Sequence, residues 1–170
     1  MKDSVPQEHK SHAPASVGCF VLTISDSKTL ETDTSGALIR ELLSASGHRV
    51  TGHAIVKDEP AQVAAVIRSG CGAPSVEAFI LTGGTGITSR DSTYEAIDAL
   101  LDKRLAGFGE LFRMLSFQEI GAAAMLSRAQ GGVVQGRVLF SLPGSPNACR
   151  LALEKLIIPE LPHLIREVKR

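Results

Sequence analysis

A glycine-rich loop that directly follows an apolar run constrains this chain more than any other feature. The run from Val76 to Leu81 is typical of a buried strand, and the segment Thr82-Gly83-Gly84-Thr85-Gly86 comes next. Because glycine has no side chain, the backbone amides of such a loop can approach a bound anion closely. Ser92 and Glu95 then have the spacing of a helix capping box. We therefore expect a strand, a binding loop and the start of a helix.

The first half of the chain alternates between short apolar runs and helical patterns. Strands are expected at residues 17–24, 49–56 and 76–81. Asp33 or Thr34 can cap the helix after the first strand, and Asp58-Glu59-Pro60 opens the helix after the second. Such an alternation predicts an α/β fold with a mostly parallel sheet covered by helices.

A long helix with apolar residues on more than one side is expected after Gly109. One stripe at helical spacing comprises Phe108, Leu111, Phe112 and Leu115, and a second comprises Met114 and Phe117. Two interpretations remain open for this pattern. The helix is either buried inside the domain or part of an interface between subunits.

The last third of the chain predicts a hairpin between helical segments. Residues 121–125 are small and apolar, residues 126–129 are expected to continue a helical segment, and short strands at 133–134 and 138–142 flank a turn at Gln135-Gly136-Arg137. A helix is expected from Asn147 to Ile158 and should end at Pro159, since proline breaks the helical hydrogen-bond pattern. A shorter helix over residues 161–170 follows.

The composition favours one globular domain and argues against several classes of protein. The 170 residues carry 18 basic and 18 acidic side chains, so no net positive field attracts nucleic acid or anionic lipid. The sequence has no apolar run as long as a membrane span. Cys19, Cys71 and Cys149 are widely separated, which argues against a zinc site or a disulfide framework and suits a reducing cytoplasm. We expect a flexible tail without a secretory signal over residues 1–16 and a single domain over residues 17–170.

A second loop resembles the first in its physics. Leu142-Pro143-Gly144-Ser145-Pro146 also joins a strand end to a helix start, and the carboxyl ends of parallel strands line the ligand crevice of α/β sheets. Both loops should therefore face one pocket. Ser145 would cap its helix and leave amides open to an oxyanion, although a sharp turn could also use Gly144 and Pro146 for purely structural reasons.

Asp58 and Asp91 are candidates for a magnesium site, because carboxylate oxygens and nucleotide phosphates are the usual ligands of this ion. Isolated aspartates near helix starts more commonly serve only as caps, and that alternative stays open. By the same argument Asp26 and Asp33 are cap or turn residues. The glycine loop matches neither the P-loop nor the GxGxxG pattern.

Other polar side chains near the loops have two interpretations each. Arg90 and Arg113 could pair with phosphate, although surface salt bridges are the commoner role of arginine. Thr85, Glu110 and Ser116 lie near apolar or glycine-rich sequence and could hydrogen-bond a ring.

Several of these motifs, in this order along the chain, resemble the MoaB/MogA family of molybdenum cofactor biosynthesis. They are the glycine loop with Arg90-Asp91, the segments 107–110 and 112–116, and the loop 142–146. The resemblance covers roughly residues 17–159. Asp33-Thr34-Ser35-Gly36 and the run from Phe112 to Gly121 are more similar to the MoaB branch than to MogA.

The resemblance implies a three-layer α/β/α domain that binds molybdopterin and, in active members, uses Mg-ATP to adenylylate its terminal phosphate with release of pyrophosphate. It implies that Asp58 and Asp91 are catalytic and hold Mg²⁺ together with the nucleotide phosphates. The molybdopterin and nucleotide site would then comprise Asp26, Ser35, Gly36, Gly83, Gly84, Thr85, Gly86, Glu110, Arg113, Ser116, Pro143, Gly144, Ser145 and Pro146.

The resemblance also implies a homo-oligomer, a hexamer rather than a trimer for the MoaB branch, and contact with other enzymes of the pathway. Two further functions remain open. The chain could bind molybdopterin, or serve as a scaffold, without catalysis. It could also be a nucleotide-binding regulator whose affinity for ATP does not depend on the pterin.

Overall fold

The fold is built on a six-stranded sheet with the strand order β2-β1-β3-β6-β5-β4. A computed structural model describes residues 13–89 and 91–170. The strands are β1 (Gly18–Ile24), β2 (Arg49–Val56), β3 (Ala78–Thr82), β4 (Lys103–Arg104), β5 (Gln130–Val134) and β6 (Arg137–Leu142). The four neighbouring strands β2, β1, β3 and β6 run parallel to one another, while β5 is antiparallel to both of its neighbours. The predicted, mostly parallel sheet is confirmed.

Helices cover both faces of this sheet. One face carries α1 (Thr34–Ala45), α4 (Ala106–Ile120), α5 (Pro146–Ala152) and α6 (Ile158–Val168), and the other carries α2 (Pro60–Cys71) and α3 (Thr93–Leu100). Successive residues of β1 point to opposite faces. Val21 packs in the cluster with Ile39 of α1, and Leu22 packs in the cluster with Val63 of α2. The three-layer α/β/α architecture is therefore confirmed.

Side-chain caps fix the start of two helices at the carboxyl edge of the sheet. The Asp33 carboxylate accepts a hydrogen bond of 2.9 Å from the Gly36 amide at the start of α1. The Ser145 hydroxyl accepts one of 3.3 Å from the Ala148 amide at the start of α5. Both caps were expected from the sequence.

The capping box predicted at Ser92 and Glu95 is wrong. Ser92 does precede α3, but its side chain accepts no capping hydrogen bond. The Glu95 carboxylate pairs instead with Arg128, from a distant part of the chain. A tertiary ion pair thus takes the place of the local capping hydrogen bond, and the sequence spacing could not reveal this.

The predicted helix end at Pro159 is also wrong. A π turn (Leu153–Ile157) follows α5, and α6 begins at Ile158 with Pro159 in its first turn. The π turn changes the backbone hydrogen-bond pattern just before the proline. Pro159 therefore lies in the first turn of α6, where its missing N–H costs the helix least stability.

The β5–β6 hairpin starts earlier than expected, at Gln130 instead of residue 133. Gly131 lies so close to the ring of Phe140 that a Cβ would be 2.9 Å from its Cδ1 atom. Glycine is thus required within this strand and does not mark a turn. The turn itself is confirmed, because Gln135 and Gly136 both adopt positive φ angles, of 46° and 72°, as a two-residue type I′ hairpin demands.

The long helix α4 is buried in the domain on one side, as the first interpretation predicted, and its other side is exposed. Phe108 and Phe112 are buried in the core, where their rings stack with centroids 6.2 Å apart. Phe117 is 61% exposed on the outer side, and Met125 in the following 3₁₀ segment (Gly121–Leu126) is 80% exposed. The outer side is an apolar surface of the kind that marks an interaction site.

The structure also bears on the membrane class and on the N-terminal tail. Within the described residues, none of the helices combines the length and apolar content needed to cross a bilayer. Of the tail predicted over residues 1–16, residues 1–12 lie outside the described part of the chain.

Phe112 provides a test of this core. Its side chain is only 1% exposed, so Phe112→Ala should lower the free energy of unfolding by about 3–5 kcal/mol. Chemical denaturation at a fixed protein concentration measures this change. Leu30→Ala is the matched control, because Leu30 is 71% exposed and its loss should change stability by less than about 0.5 kcal/mol. A loss below about 1 kcal/mol for Phe112→Ala would contradict the packing described.

Candidate functional site

The glycine loop is packed tightly against the ends of two strands. Gly83 and Gly84 adopt φ angles of +94° and +66°, which favour glycine. The Gly83 amide donates a hydrogen bond of 3.0 Å to the Leu142 carbonyl at the end of β6. A Cβ on Gly83 would overlap the Ile24 carbonyl oxygen at the end of β1. The loop therefore depends on glycine both for its backbone angles and for space.

The loop leaves consecutive backbone donors open. Among the described residues, the N–H groups of Gly84, Thr85, Gly86 and Ile87 have no hydrogen-bond acceptor. Gly86 and Ile87 are exposed, and Gly84 and Thr85 are half-buried. Successive free amides carry partial positive charge, which suits an anion such as phosphate.

The predicted catalytic pair flanks this loop. A Cβ on Gly84 would lie 3.3 Å from Asp58 Oδ1, and a Cβ on Gly86 would overlap Asp91 Oδ2. Both carboxylates line a cavity of about 170 Å³ together with Asp26 and Thr88. The structure thus brings Asp58 and Asp91 together beside the open amides, as the sequence predicted.

Neither aspartate acts as a helix cap, so that alternative is wrong for both. The residue before α2 is Glu59, which makes no side-chain capping bond, and Asp58 Oδ1 is buried without a hydrogen-bond partner in the described part of the chain. Asp91 Oδ2 accepts a hydrogen bond of 2.7 Å from the Thr88 amide inside the loop. Asp26 supports the pair, because its carboxylate accepts the Asp58 amide at 3.1 Å.

The donor set fits magnesium bound together with a ligand. A buried carboxylate oxygen without a partner costs roughly 1–3 kcal/mol, and a cation would relieve that cost. Within residues 13–89 and 91–170, no three His, Cys, Asp or Glu side chains form a metal site by themselves. Magnesium is commonly held by only one or two carboxylates plus substrate phosphates and waters, which is the arrangement that Asp58 and Asp91 allow.

The two loops lie side by side, as predicted. Thr82 Oγ1 donates to the Pro143 carbonyl at 3.1 Å, and a Cβ on Gly144 would lie 3.6 Å from the Gly83 Cα atom. Pro143 is half-buried, and Gly144, Ser145 and Pro146 are exposed, so this loop is open to solvent at the same edge of the sheet.

Ser35 and Gly36 support this second loop and are not open to a ligand. The buried Ser35 hydroxyl donates to the Gly144 carbonyl at 2.7 Å. Gly36 lies against Asp33, and a Cβ there would overlap the Asp33 carboxylate. The expectation that both residues contact the ligand is therefore corrected to a role behind the loop.

Asp33 itself belongs to a buried polar cluster that sequence spacing did not reveal. Its Oδ2 atom accepts a hydrogen bond of 2.6 Å from Thr23 Oγ1 and one of 3.0 Å from His53 Nε2. This cluster joins the ends of β1 and β2 to the start of α1. It holds in place the helix start that carries Ser35.

A second cavity, of about 230 Å³, lies beside α4. Glu110 and Arg113 line it, together with Tyr94 and Gln130. Gln130 Nε2 donates to the Tyr94 carbonyl at 3.0 Å, while its Oε1 atom is buried and has no partner among the described residues. Ser116 is buried on α4 and does not line this cavity. Hydrogen-bonding groups of both kinds thus surround the cavity.

Arg128 is the residue that sequence reasoning missed. Its Nε atom donates to the Thr85 carbonyl at 3.1 Å, and its Nη2 atom donates to the Gly86 carbonyl. The guanidinium also pairs with Glu95 and lies over the Tyr94 ring, 4.5 Å from its centroid. No spacing rule indicates this role, because Arg128 meets the loop only in three dimensions. Arg90, the arginine expected to bind phosphate, lies outside the described residues.

Cys149 lies beneath both loops but is not suited to be a nucleophile. Its Sγ atom is 3.3 Å from Thr82 Oγ1 and donates to the Pro143 carbonyl. Burial raises the pKa of the Cys149 thiol to about 11, so the reactive thiolate is scarce at neutral pH. Cys149 is therefore not suited to covalent catalysis.

Comparison with known proteins identifies relatives of this chain. Residues 20–163 match the family described as "Probable molybdopterin binding domain". A protein of Halalkalibacterium halodurans named molybdenum cofactor biosynthesis protein B is 54% identical over 163 residues, which cover 95% of this chain and 96% of the relative.

Solved structures agree with the sequence relatives. A crystal structure of a molybdenum cofactor biosynthesis protein B has a TM-score of 0.90 and 52% identity, and the match covers 94% of this chain and 99% of that one. The tungsten cofactor synthesizing protein MoaB from Pyrococcus furiosus has a TM-score of 0.81 and 40% identity, with 93% and 100% covered. The resemblance indicated by the loop motifs is confirmed: the chain belongs to the molybdenum cofactor biosynthesis family of molybdopterin-binding domains, in its MoaB branch.

Proposed function

We propose that this chain binds molybdopterin and adenylylates its terminal phosphate with Mg-ATP, releasing pyrophosphate. The observation that carries the proposal is the set of open amides from Gly84 to Ile87, which lies between the carboxylates of Asp58 and Asp91. Open amides suit phosphate oxygens, and the two carboxylates suit the magnesium ion that accompanies a nucleotide.

The transfer needs correct placement of two phosphates more than it needs a protein nucleophile. An oxygen of the molybdopterin phosphate attacks the α-phosphorus of ATP. The bond from that phosphorus to the oxygen that bridges to the β-phosphorus breaks, and pyrophosphate leaves with the electron pair. The loop amides donate hydrogen bonds to the oxygens on which negative charge develops, which lowers the barrier.

Asp58 and Asp91 would hold the magnesium ion together with the nucleotide phosphates. When bound there, the ion would neutralise charge on the phosphate oxygens and favour departure of pyrophosphate. The unpartnered Asp58 Oδ1 supports this role, because the chain supplies that oxygen with no hydrogen bond of its own among the described residues.

The cavity beside α4 would take the pterin ring. The Glu110 carboxylate and Gln130 Oε1 are acceptors for ring N–H groups, and the Arg113 guanidinium is a donor for ring oxygen or nitrogen. The loops, at the same edge of the sheet, would then receive the phosphate of the same molecule.

Asp91→Asn tests the catalytic proposal. The amide keeps the size of the carboxylate and an oxygen for the Thr88 amide, but it removes the negative charge. We expect pyrophosphate release from molybdopterin and Mg-ATP to fall roughly 100-fold or more, with the fold retained. Asp58→Asn should behave alike. Glu154→Gln is the control, because Glu154 pairs only with the exposed Arg150 in the contacts described.

Two outcomes would count against this assignment. Turnover retained in Asp91→Asn would remove Asp91 from the catalytic machinery. A wild-type protein that binds molybdopterin but releases no pyrophosphate would establish the alternative, a non-catalytic binding or scaffold protein of the same pathway.

The apolar outer surface of α4 and the 3₁₀ segment supports a homo-oligomer. The large exposed side chains of this surface are Met114, Phe117, Ile120, Met125 and Leu126. An apolar surface of this extent is commonly covered by another chain, and in a homo-oligomer that chain is a second copy of the same protein. The assembly would be a hexamer rather than a trimer, as the MoaB resemblance implies.

Phe117→Glu should disrupt this assembly, because a charge would be buried where the apolar surfaces meet. Light scattering should show six chains for the wild type and a smaller species for the variant. Leu30→Glu is the control, since Leu30 is also an exposed apolar residue but lies outside that surface, and it should leave the assembly intact. A monomeric wild type would refute the oligomer.

A further inference from the structure

We infer that Arg128 is a positioning residue that aims the amides of the glycine loop at the phosphate, an inference that rests on the proposed function. Its guanidinium donates to the carbonyls of Thr85 and Gly86, pairs with Glu95 and covers the ring of Tyr94. One side chain thus ties the loop to α3 and to the segment that precedes β5.

These two carbonyl contacts determine where the amides point. In a trans peptide unit the C=O of one residue and the N–H of the next point in opposite directions. The carbonyls of Thr85 and Gly86 point toward Arg128, so the N–H groups of Gly86 and Ile87 point away from it. Those are two of the amides that remain open in the described structure. Arg128 therefore acts on the phosphate site without touching the ligand.

The loop needs such an external support because its own sequence provides little rigidity. Glycine has more accessible backbone conformations than any other residue, and Gly84 and Gly86 flank Thr85. Orienting the amides before the ligand binds removes an entropic cost from each binding event. The same orientation is what makes amides effective at stabilising charge in a transition state.

Arginine is chemically suited to this position. Its planar fork uses Nε, Nη1 and Nη2 for three different partners, while its face packs on Tyr94. The Glu95 carboxylate accepts from Nη1, and the two loop carbonyls accept from Nε and Nη2, so the guanidinium is held by both α3 and the loop. The side chain is only 23% exposed, which limits competition from water for these contacts.

Arg128→Gln tests the inference by two measurements that need no turnover. Amide hydrogen exchange at Thr88, whose N–H is bonded within the loop to Asp91 Oδ2, should accelerate roughly 10-fold or more, and calorimetry should show a similar loss of affinity for inorganic pyrophosphate. Where turnover is present, kcat should fall more than KM rises. Arg150→Gln is the control, because in the contacts described the exposed Arg150 guanidinium pairs with Glu154 at 3.0 Å and with no residue of the glycine loop.

A purely structural role for Arg128 predicts a different result. Arg128→Gln would then lower the melting temperature while loop exchange and pyrophosphate affinity of the folded protein matched the wild type, and that outcome overturns the inference. If Arg128→Gln does not fold, Glu95→Gln carries the test. It should loosen the loop in the same direction to a smaller extent, and unchanged exchange and affinity there would overturn the inference as well. Absence of turnover in the wild type affects the proposed function alone, since neither measurement requires it.

Discussion

The contact of Gly83 with the ends of two strands is the constraint on which the rest of the site depends. Its amide is bonded to the Leu142 carbonyl, and its Cα position leaves no room for a side chain against Ile24. The loop is thereby anchored to β1 and β6 at once. The open amides and Asp91 follow Gly83 in the chain, so their positions depend on this anchor. Asp58 follows the end of β2 and lies beside the same loop.

Groups of opposite charge lie side by side at this loop. The amides from Gly84 to Ile87 present partial positive charge, and the carboxylates of Asp58 and Asp91 present negative charge on either side. An anion alone would be repelled by the carboxylates, and a cation alone would gain nothing from the amides. A phosphate that arrives with magnesium would satisfy both, which is the physical basis of the proposed Mg-ATP site.

The sequence predicted those features whose causes are local. Both loops, the helix caps at Asp33 and Ser145 and the layered fold follow from short patterns, because strand ends, glycine and caps act over a few residues. The errors share a different cause. Glu95 pairs with Arg128 instead of capping its own helix, and the helical segment continues past Pro159 after a π turn. In each case the tertiary structure outweighs the local preference. Arg128 itself lies 42 residues from Gly86 in sequence, and no local pattern could connect them.

The division between ligand-facing and supporting residues is likewise invisible in a sequence, since both kinds are small or polar and lie near the same loops. Ser35 has a hydroxyl that could bind phosphate, yet it is committed to the Gly144 carbonyl. Asp58 looks like an ordinary cap, yet its Oδ1 atom is buried and unpaired in the described structure. Hydrogen-bond accounting separates the two cases, because a group whose bonds are complete stabilises the fold whereas a buried group left incomplete calls for a ligand. Six buried side-chain atoms among the described residues meet that criterion, and two of them belong to residues that line the cavities of the site: Asp58 Oδ1 at the acidic cavity and Gln130 Oε1 at the cavity beside α4.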